Sequence, residues 1–241
     1  MVFFQMDMAR FIQVYIVQLG MGIVFLIFGI LILRRDRKRL NQIFSFWYLM
    51  TAAGTIVNVI YVSLIYFSFK INPLIKYLHL ATAYLLLYAP LYLLIVCLII
   101  FKSEKVITVR TNNIIAFTYA VLLFGIFLIP GGARIDETTE WMPIWSLPLT
   151  IYVLTLVTVF VIIPFIYFSM KIYGEFEDDI LKKRWVLFNL GMIPYLIELY
   201  LLPISNYLND PLFRTITSIV GLSMFASAFL FYYGIGRQIK K

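Results

Sequence analysis

The chain has 241 residues, of which 63% are hydrophobic and 13% charged, against roughly 45–50% and about 25% in soluble domains. A soluble fold of this length buries a sizeable core but cannot hide this much apolar surface, so composition excludes a water-soluble globule and points to an all-α integral membrane protein. A net charge of +8 would suggest a nucleic-acid partner in a soluble chain; here the basic residues cluster in short segments between apolar runs, where they act as topology signals, and no nucleic acid is expected.

The first apolar run covers residues 11–33 and ends at Arg34-Arg35-Asp36-Arg37-Lys38-Arg39, a block that no bilayer core accepts. It is longer than the apolar core of a secretory leader and no small-residue cleavage site follows it, so a cleaved leader is not expected. The second run, 42–68, is broken by Lys70-Ile71-Asn72-Pro73. The third, 74–101, contains Pro90 and stops at Lys102-Ser103-Glu104-Lys105. It also holds Cys97, the one cysteine, which permits neither an internal disulfide nor a cysteine metal cluster and reads as packing. The fourth and shortest, 113–129, stops at Pro130-Gly131-Gly132.

After a polar loop over 133–140, Trp141 and Trp145 read as an interfacial belt at the head of the fifth run, 142–170, where Pro148 and Pro164 are expected to bend the helix. Glu175, Glu177 and Asp179 then stand ahead of Lys182, Lys183 and Arg184, which fits a solvated loop or short helical extensions of the flanking spans. The sixth run covers 185–204 and the seventh 212–236, closed by Arg237 and Lys240-Lys241. Each run meets or approaches the roughly 20 residues that cross a hydrocarbon core, and backbone groups without water to bond must form helix. The expected architecture is a seven-transmembrane helix bundle, one domain over 1–241. Fifteen Lys and Arg fall in the loops after runs one, three and five and in the C-terminal tail, while five fall on the other side. That bias predicts a multi-pass protein of the cell membrane with its N-terminus outside and its C-terminus cytoplasmic. No internal repeat stands out, so the repeat logic of many transporters finds no support.

The polar residues inside these runs meet at one depth. Run six carries a single carboxylate, Glu198, and at helical spacing Gly191, Pro194, Tyr195, Glu198 and Ser205 share a face. An ionisable group at membrane depth costs several kcal/mol unless it faces protein or water, so Glu198 marks the bundle interior. Thr51, Gly54, Thr55, Asn58 and Tyr61 form a small and polar stripe on run two; His79, Thr82 and Ala83 share a face of run three; Arg214, Ser218 and Gly221 line up on run seven. At about 1.5 Å per residue, Asn58, His79 and Glu198 all fall in the outer third to half of the bilayer. A ligand-binding pocket is therefore expected among Thr55, Asn58, His79, Tyr195, Glu198, Arg214 and Ser218, open to the outer side. The alternative is that Glu198 pairs with His79 or Arg214 and fixes the packing. A Glu198–His79 contact would further allow proton-linked sensing, since histidine titrates near physiological pH.

Several chemistries lack their residues. Run seven contains no lysine for a retinal Schiff base, and one histidine, His79, supports neither a membrane zinc hydrolase nor bis-histidine haem. Asp36, Asp136, Asp178, Asp179 and Asp210 all lie in or beside loops, unlike the pair of an intramembrane aspartyl protease. No phosphate-binding glycine loop is present. An enzyme is not expected, nor a metal or cofactor.

Arg34-Arg35 closing run one, Phe46-Trp47 opening run two, Tyr88-Ala89-Pro90-Leu91-Tyr92 in run three, and Tyr173, Lys183-Arg184, Gly191 and Ile193-Pro194 further on form a pattern over residues 20–205. It resembles the N-terminal seven-transmembrane sensor region of prokaryotic histidine kinases. The resemblance implies a region that senses an extracellular or membrane cue and passes it to a cytoplasmic kinase. The sequence departs from that pattern: Tyr92 stands where the family's tryptophan is compared, and no kinase or PAS domain follows Gly236. A separate cytoplasmic signalling partner would then be needed, beside membrane lipids and allowing for a homo-oligomer. Two other classes stay open, a small-solute transporter or channel and a non-catalytic assembly subunit.

Overall fold

Among the described residues, seven helices are long and apolar enough to cross a membrane: α1 Ile12–Arg35, α2 Arg39–Tyr66, α3 Pro73–Lys102, α4 Val109–Phe127, α5 Leu147–Glu175, α6 Asp179–Leu208 and α7 Pro211–Ile235. The structure, a computed structural model, describes residues 8–35, 38–67 and 71–236. The expectations that rest on Asp36, Arg37, Ser68, Lys70 and the tail from Arg237 lie outside the described residues. Among the seven, α1 packs along α2, α2 along α3, α6 along α7, and α7 back onto α1. Helix α3 is the most enclosed, with 61% of its most apolar stretch buried, whereas α4 leans on the outside of α3 with 22%. The bundle therefore has a core of six helices with α4 as a flank.

Local chemistry sets the helix ends. Thr108 caps α4 four residues ahead of the expected start, its hydroxyl accepting from Thr111 N–H at 3.2 Å. Ser146 caps α5 and places Pro148 in the first turn, where a missing N–H costs nothing, so Pro148 starts this helix and does not bend it. Pro164 follows a wider π-type turn over Thr158–Ile162, and α3 is interrupted at Ala89, just before Pro90. Helix α5 runs on to Glu175 and α6 begins at Asp179, with the Asp178 carboxylate accepting from Ile180 N–H at 2.7 Å. The acidic-then-basic segment thus forms helical extensions joined by three residues.

The two ends of the bundle differ. Connections α1–α2, α3–α4 and α5–α6 form a basic end, cross-linked where Arg39 reaches the Glu104 carbonyl at 3.4 Å and Arg184 that of Tyr233 at 3.3 Å. Just inside it lies an aromatic layer in which Phe44, Trp47, Tyr48, Phe188 and Phe231 are fully buried, with ring centroids 4.4 Å apart for Trp47–Tyr48 and 4.5 Å for Trp47–Phe231. Tyr48 ties this layer to α7 by donating to the Ala228 carbonyl at 2.8 Å.

At the opposite end the α4–α5 connection folds back as a lid. Pro130 and Gly131 turn the chain, and Gly131 takes a left-handed φ of 64° that its missing Cβ makes free of strain. Strand β1 (Ala133–Arg134) then pairs antiparallel with β2 (Ile144–Trp145), Ala133 opposite Trp145. Between them Asp136 caps a short 3-10 turn over Glu137–Thr139. Trp141 and Trp145 are both buried, at 7% and 4% exposure, so the expected interfacial belt does not form. The strand pairing turns the Trp145 indole inward, and Trp141 packs with Val14, Tyr61, Val62 and Ile65.

Candidate functional site: a cavity beneath the lid

Beneath the lid lies a cavity of about 860 Å³, walled by α1, α2, α3, α6 and α7 and by lid residues 138–145. Of the expected site residues, Asn58, His79, Arg214 and Ser218 line it. Thr55, Tyr195 and Glu198 do not. They line a second space of about 50 Å³, deeper in the bundle, which shares seven lining residues with the first, among them Gln18, Asn58, Leu86, Leu199, Leu202 and Ser218. The single expected pocket is two compartments. Between them Asn58 Nδ2 donates to Gln18 Oε1 across α1 and α2.

Histidine 79 is held from both sides. Trp145 Nε1 donates to His79 Nε2 at 2.8 Å, and His79 Nδ1 faces the Tyr61 hydroxyl at 3.2 Å. An indole N–H is only a donor, so Nε2 must accept and the imidazole is neutral with its proton on Nδ1. That proton goes to the Tyr61 oxygen, which leaves the Tyr61 O–H free to donate elsewhere. His79 makes no hydrogen bond or ion pair to Glu198 among the described residues, and the two line different compartments. In place of the alternative Glu198–His79 contact, on which proton-linked sensing would depend, His79 belongs to a Trp145–His79–Tyr61 chain.

The arginines are pinned by the lid. Arg10 donates to the Trp141 carbonyl at 2.9 Å and lies over the Tyr66 ring with Cζ 5.7 Å from its centroid. Arg214 donates through one terminal nitrogen to the Pro143 carbonyl at 2.8 Å and to Asn209 Oδ1 at 3.0 Å. Among the described residues neither makes an ion pair, so the alternative Glu198–Arg214 pairing does not form either. Glu140, the acidic residue in the lining, is exposed at the rim. Three buried polar atoms around the compartments have no hydrogen-bond partner among the described residues: Arg214 Nε and Thr82 Oγ1 in the large one, Glu198 Oε2 in the small one. Buried polar groups in native interiors are paired with protein or water, so these three mark polar points of the cavity walls.

The inner compartment is quieter. Tyr195 accepts from Trp47 Nε1 at 3.1 Å on the side of the aromatic layer. The hydroxyls of Thr55 and Ser218 donate to backbone carbonyls of their own helices, at 2.9 Å to Ala52 and 2.8 Å to Arg214. Gly221 leaves room for the carboxylate: a Cβ there would stand 3.4 Å from Glu198 Oε1.

Arg10, Gln13, Gln18 and Tyr61 line the cavity without having been expected there as site residues. Gln13 and Gln18 are five positions apart and fall on different faces of an ordinary α-helix. The first turns of α1, Ile12–Gln18, are π-type, and i→i+5 winding brings residues five apart to one side. Two glutamines interrupting an otherwise apolar run were the available signal.

In the lid, Asp136 is held below the usual carboxylate range, chiefly by the hydrogen bond from the Thr138 hydroxyl, then by the N–H groups of Thr138 and Thr139 and the nearby Arg134 charge. Glu140 and Trp141 follow in left-handed conformation, with φ of 52° and 58°. Trp141 N–H is fixed to the Asp136 carbonyl at 2.9 Å. The lid thus carries backbone strain of about 1–2 kcal/mol per residue where it meets Arg10, offset by the Asp136 cap.

Compared with known proteins, the chain matches no family model, no curated protein and no solved structure. Its residues alone carry the functional reading.

Proposed function

We propose that this protein is a sensor or receptor-like protein of the cell membrane. Its N-terminus is outside and its C-terminus cytoplasmic, and it takes a small ligand or lipid into the cavity beneath the lid from the outer side. The observation that supports this reading most is the cavity itself, about 860 Å³ in volume and lined by buried polar groups, some without partners. Ligand sites typically combine a volume of about 300–1,000 Å³ with an apolar lining and a few placed polar groups. A ligand that binds one arrangement of α1, α2, α3, α6 and α7 better than another biases the helices toward it. A separate cytoplasmic partner would read that shift at the basic end. The buried aromatic layer of Phe44, Trp47, Tyr48, Phe188 and Phe231 speaks against a transport path, because it closes the route from the small compartment to the basic end.

The test is thermal unfolding of the purified chain with a panel of small acids, amines, neutral solutes and lipids. A ligand at 100 times its Kd stabilises the folded state by about 2.7 kcal/mol. The shift is expected to vanish in Ala83→Phe, which fills the cavity from α3. It is expected to persist in Glu198→Gln, since Glu198 lines the inner compartment only. No shift with any compound, together with an Ala83→Phe variant that is simply more stable, would overturn the reading.

A further inference from the structure

Resting on that reading, we propose that the ligand is an organic anion. Its carboxylate or phosphate lies between Arg10 and Arg214, and its apolar body against Leu86, Leu199 and Leu202. The lining is a set of donors without a matching anion. Arg10 spends one terminal nitrogen on the Trp141 carbonyl, and Arg214 spends one on Pro143 and Asn209. A guanidinium has five N–H donors and no acceptor, so each keeps donors in hand. For Arg214 one of these is Nε, buried and without a partner among the described residues.

Tyr61 adds a further donor. Because Trp145 can only donate, the proton order Trp145 to His79 to Tyr61 is fixed, and the chain ends in a hydroxyl hydrogen with no acceptor assigned. The lid therefore sets the polarity of a group two hydrogen bonds away, at the end of the Trp145–His79–Tyr61 chain.

Charge makes the same case. The lid holds both guanidinium groups at carbonyls two residues apart, 141 and 143, and two residues of chain span at most about 7 Å. Both guanidinium groups line the same cavity as Tyr61. No carboxylate pairs with either among the described residues, and Glu140 faces solvent at the rim. An anion between them replaces repulsion with two charge-assisted contacts, and arginine suits planar carboxylate and phosphate groups in particular. Toward the inner compartment the lining turns apolar, with Leu86, Leu199 and Leu202 common to both spaces. A free inorganic anion would leave that part unfilled, whereas an amphipathic acid fills both.

The experiment uses the full chain in phosphatidylcholine nanodiscs with three probes that each carry one straight ten-carbon chain: decanoate, decanol and decyltrimethylammonium. Binding is followed by tryptophan fluorescence, to which Trp141 and Trp145 report directly, and by melting temperature. Decanoate is expected to bind at least tenfold tighter than either other probe, with affinity falling as salt rises. Arg10→Gln and Arg214→Gln are each expected to weaken decanoate about tenfold or more while leaving decanol unchanged. Charge selectivity is read on the wild type, so a variant that fails to fold does not remove the test. Decanoate saturating in these discs assigns the acid to a free source. Stabilisation on adding phosphatidylglycerol, which decanoate competes away, assigns it to a lipid headgroup. Decanol or the ammonium binding as tightly as decanoate would overturn the anion while leaving the cavity a ligand site. No binding by any probe, with Ala83→Phe silent, would overturn both.

Discussion

At the scale of single residues, the chain through Trp145, His79 and Tyr61 decides what the cavity offers a ligand. Both ring nitrogens of a 5%-exposed imidazole are used, at 2.8 and 3.2 Å, so neither can change partner without leaving a buried polar atom bare. Trp145→Phe removes the indole N–H and keeps an aromatic ring, and His79 Nε2 then stays buried without a donor. The expected cost is about 1–3 kcal/mol of folding stability, measured by chemical denaturation in detergent. Replacing both partners, Trp145→Phe with His79→Phe, removes the orphaned acceptor along with its donor. The double variant is therefore expected to cost less than the two single variants summed. Additive costs would mean that packing, not the hydrogen bond, carries the pair.

Elements raise a different question, how a strained lid stays folded over the bundle. Its cap is Asp136, whose carboxyl lies below the usual range because the Thr138 hydroxyl and the Thr138 and Thr139 N–H groups bond its charged form. A group depressed in the folded state stabilises above its unfolded pKa, about 3.9 for aspartate, and that contribution is lost as pH falls through the lower folded value. Acidification is thus expected to loosen the lid, read as loss of the near-UV signal of Trp141 and Trp145. Asp136→Asn still accepts from Thr138 and Thr139 but does not titrate, and should flatten that part of the profile. A profile identical to wild type would remove Asp136 from the account. Helix α7 offers a second contrast, between two of its glycines. At Gly234 a Cβ would meet the backbone of α6, Phe188 N at 2.9 Å and Arg184 O at 3.0 Å, atoms that cannot rotate away. Gly234→Ala is expected to destabilise by about 1–3 kcal/mol. At Gly221 the nearest atom is 3.4 Å off, and Gly221→Ala is expected to be neutral or to gain up to about 1 kcal/mol in helix propensity. Thermal melts of both variants side by side check the pair.

For the molecule as a whole, what could be read in advance follows from which signals are local. Seven spans show in the sequence because a run of apolar residues long enough to cross a bilayer is a property of composition. The stripe of Thr51, Thr55, Asn58 and Tyr61 shows because α2 is a regular α-helix, and all four are buried. Gln13 and Gln18 escape that logic because their helix is wound differently, and the lid escapes it because burial of Trp145 depends on His79, 66 residues away. The Asn58–Gln18 hydrogen bond where the two compartments meet likewise joins side chains 40 residues apart. Orientation rests on a count of charges. Among the described residues, eleven Lys and Arg belong to the basic end and four, Arg10, Lys76, Arg134 and Arg214, to the lid end. Basic loops stay on the cytoplasmic side, which predicts that the lid and its cavity face outward. The chain itself suits the test, since its single cysteine, Cys97, is fully buried and gives little background. A cysteine at exposed Glu137 in the lid is expected to react with a membrane-impermeant maleimide in intact cells. One at exposed Glu177, in the α5–α6 connection, should react only once the cells are opened. The reverse pattern would put the cavity on the cytoplasmic side, so that Arg10 and Arg214 would meet an anion from within the cell and the outward-facing receptor would be ruled out.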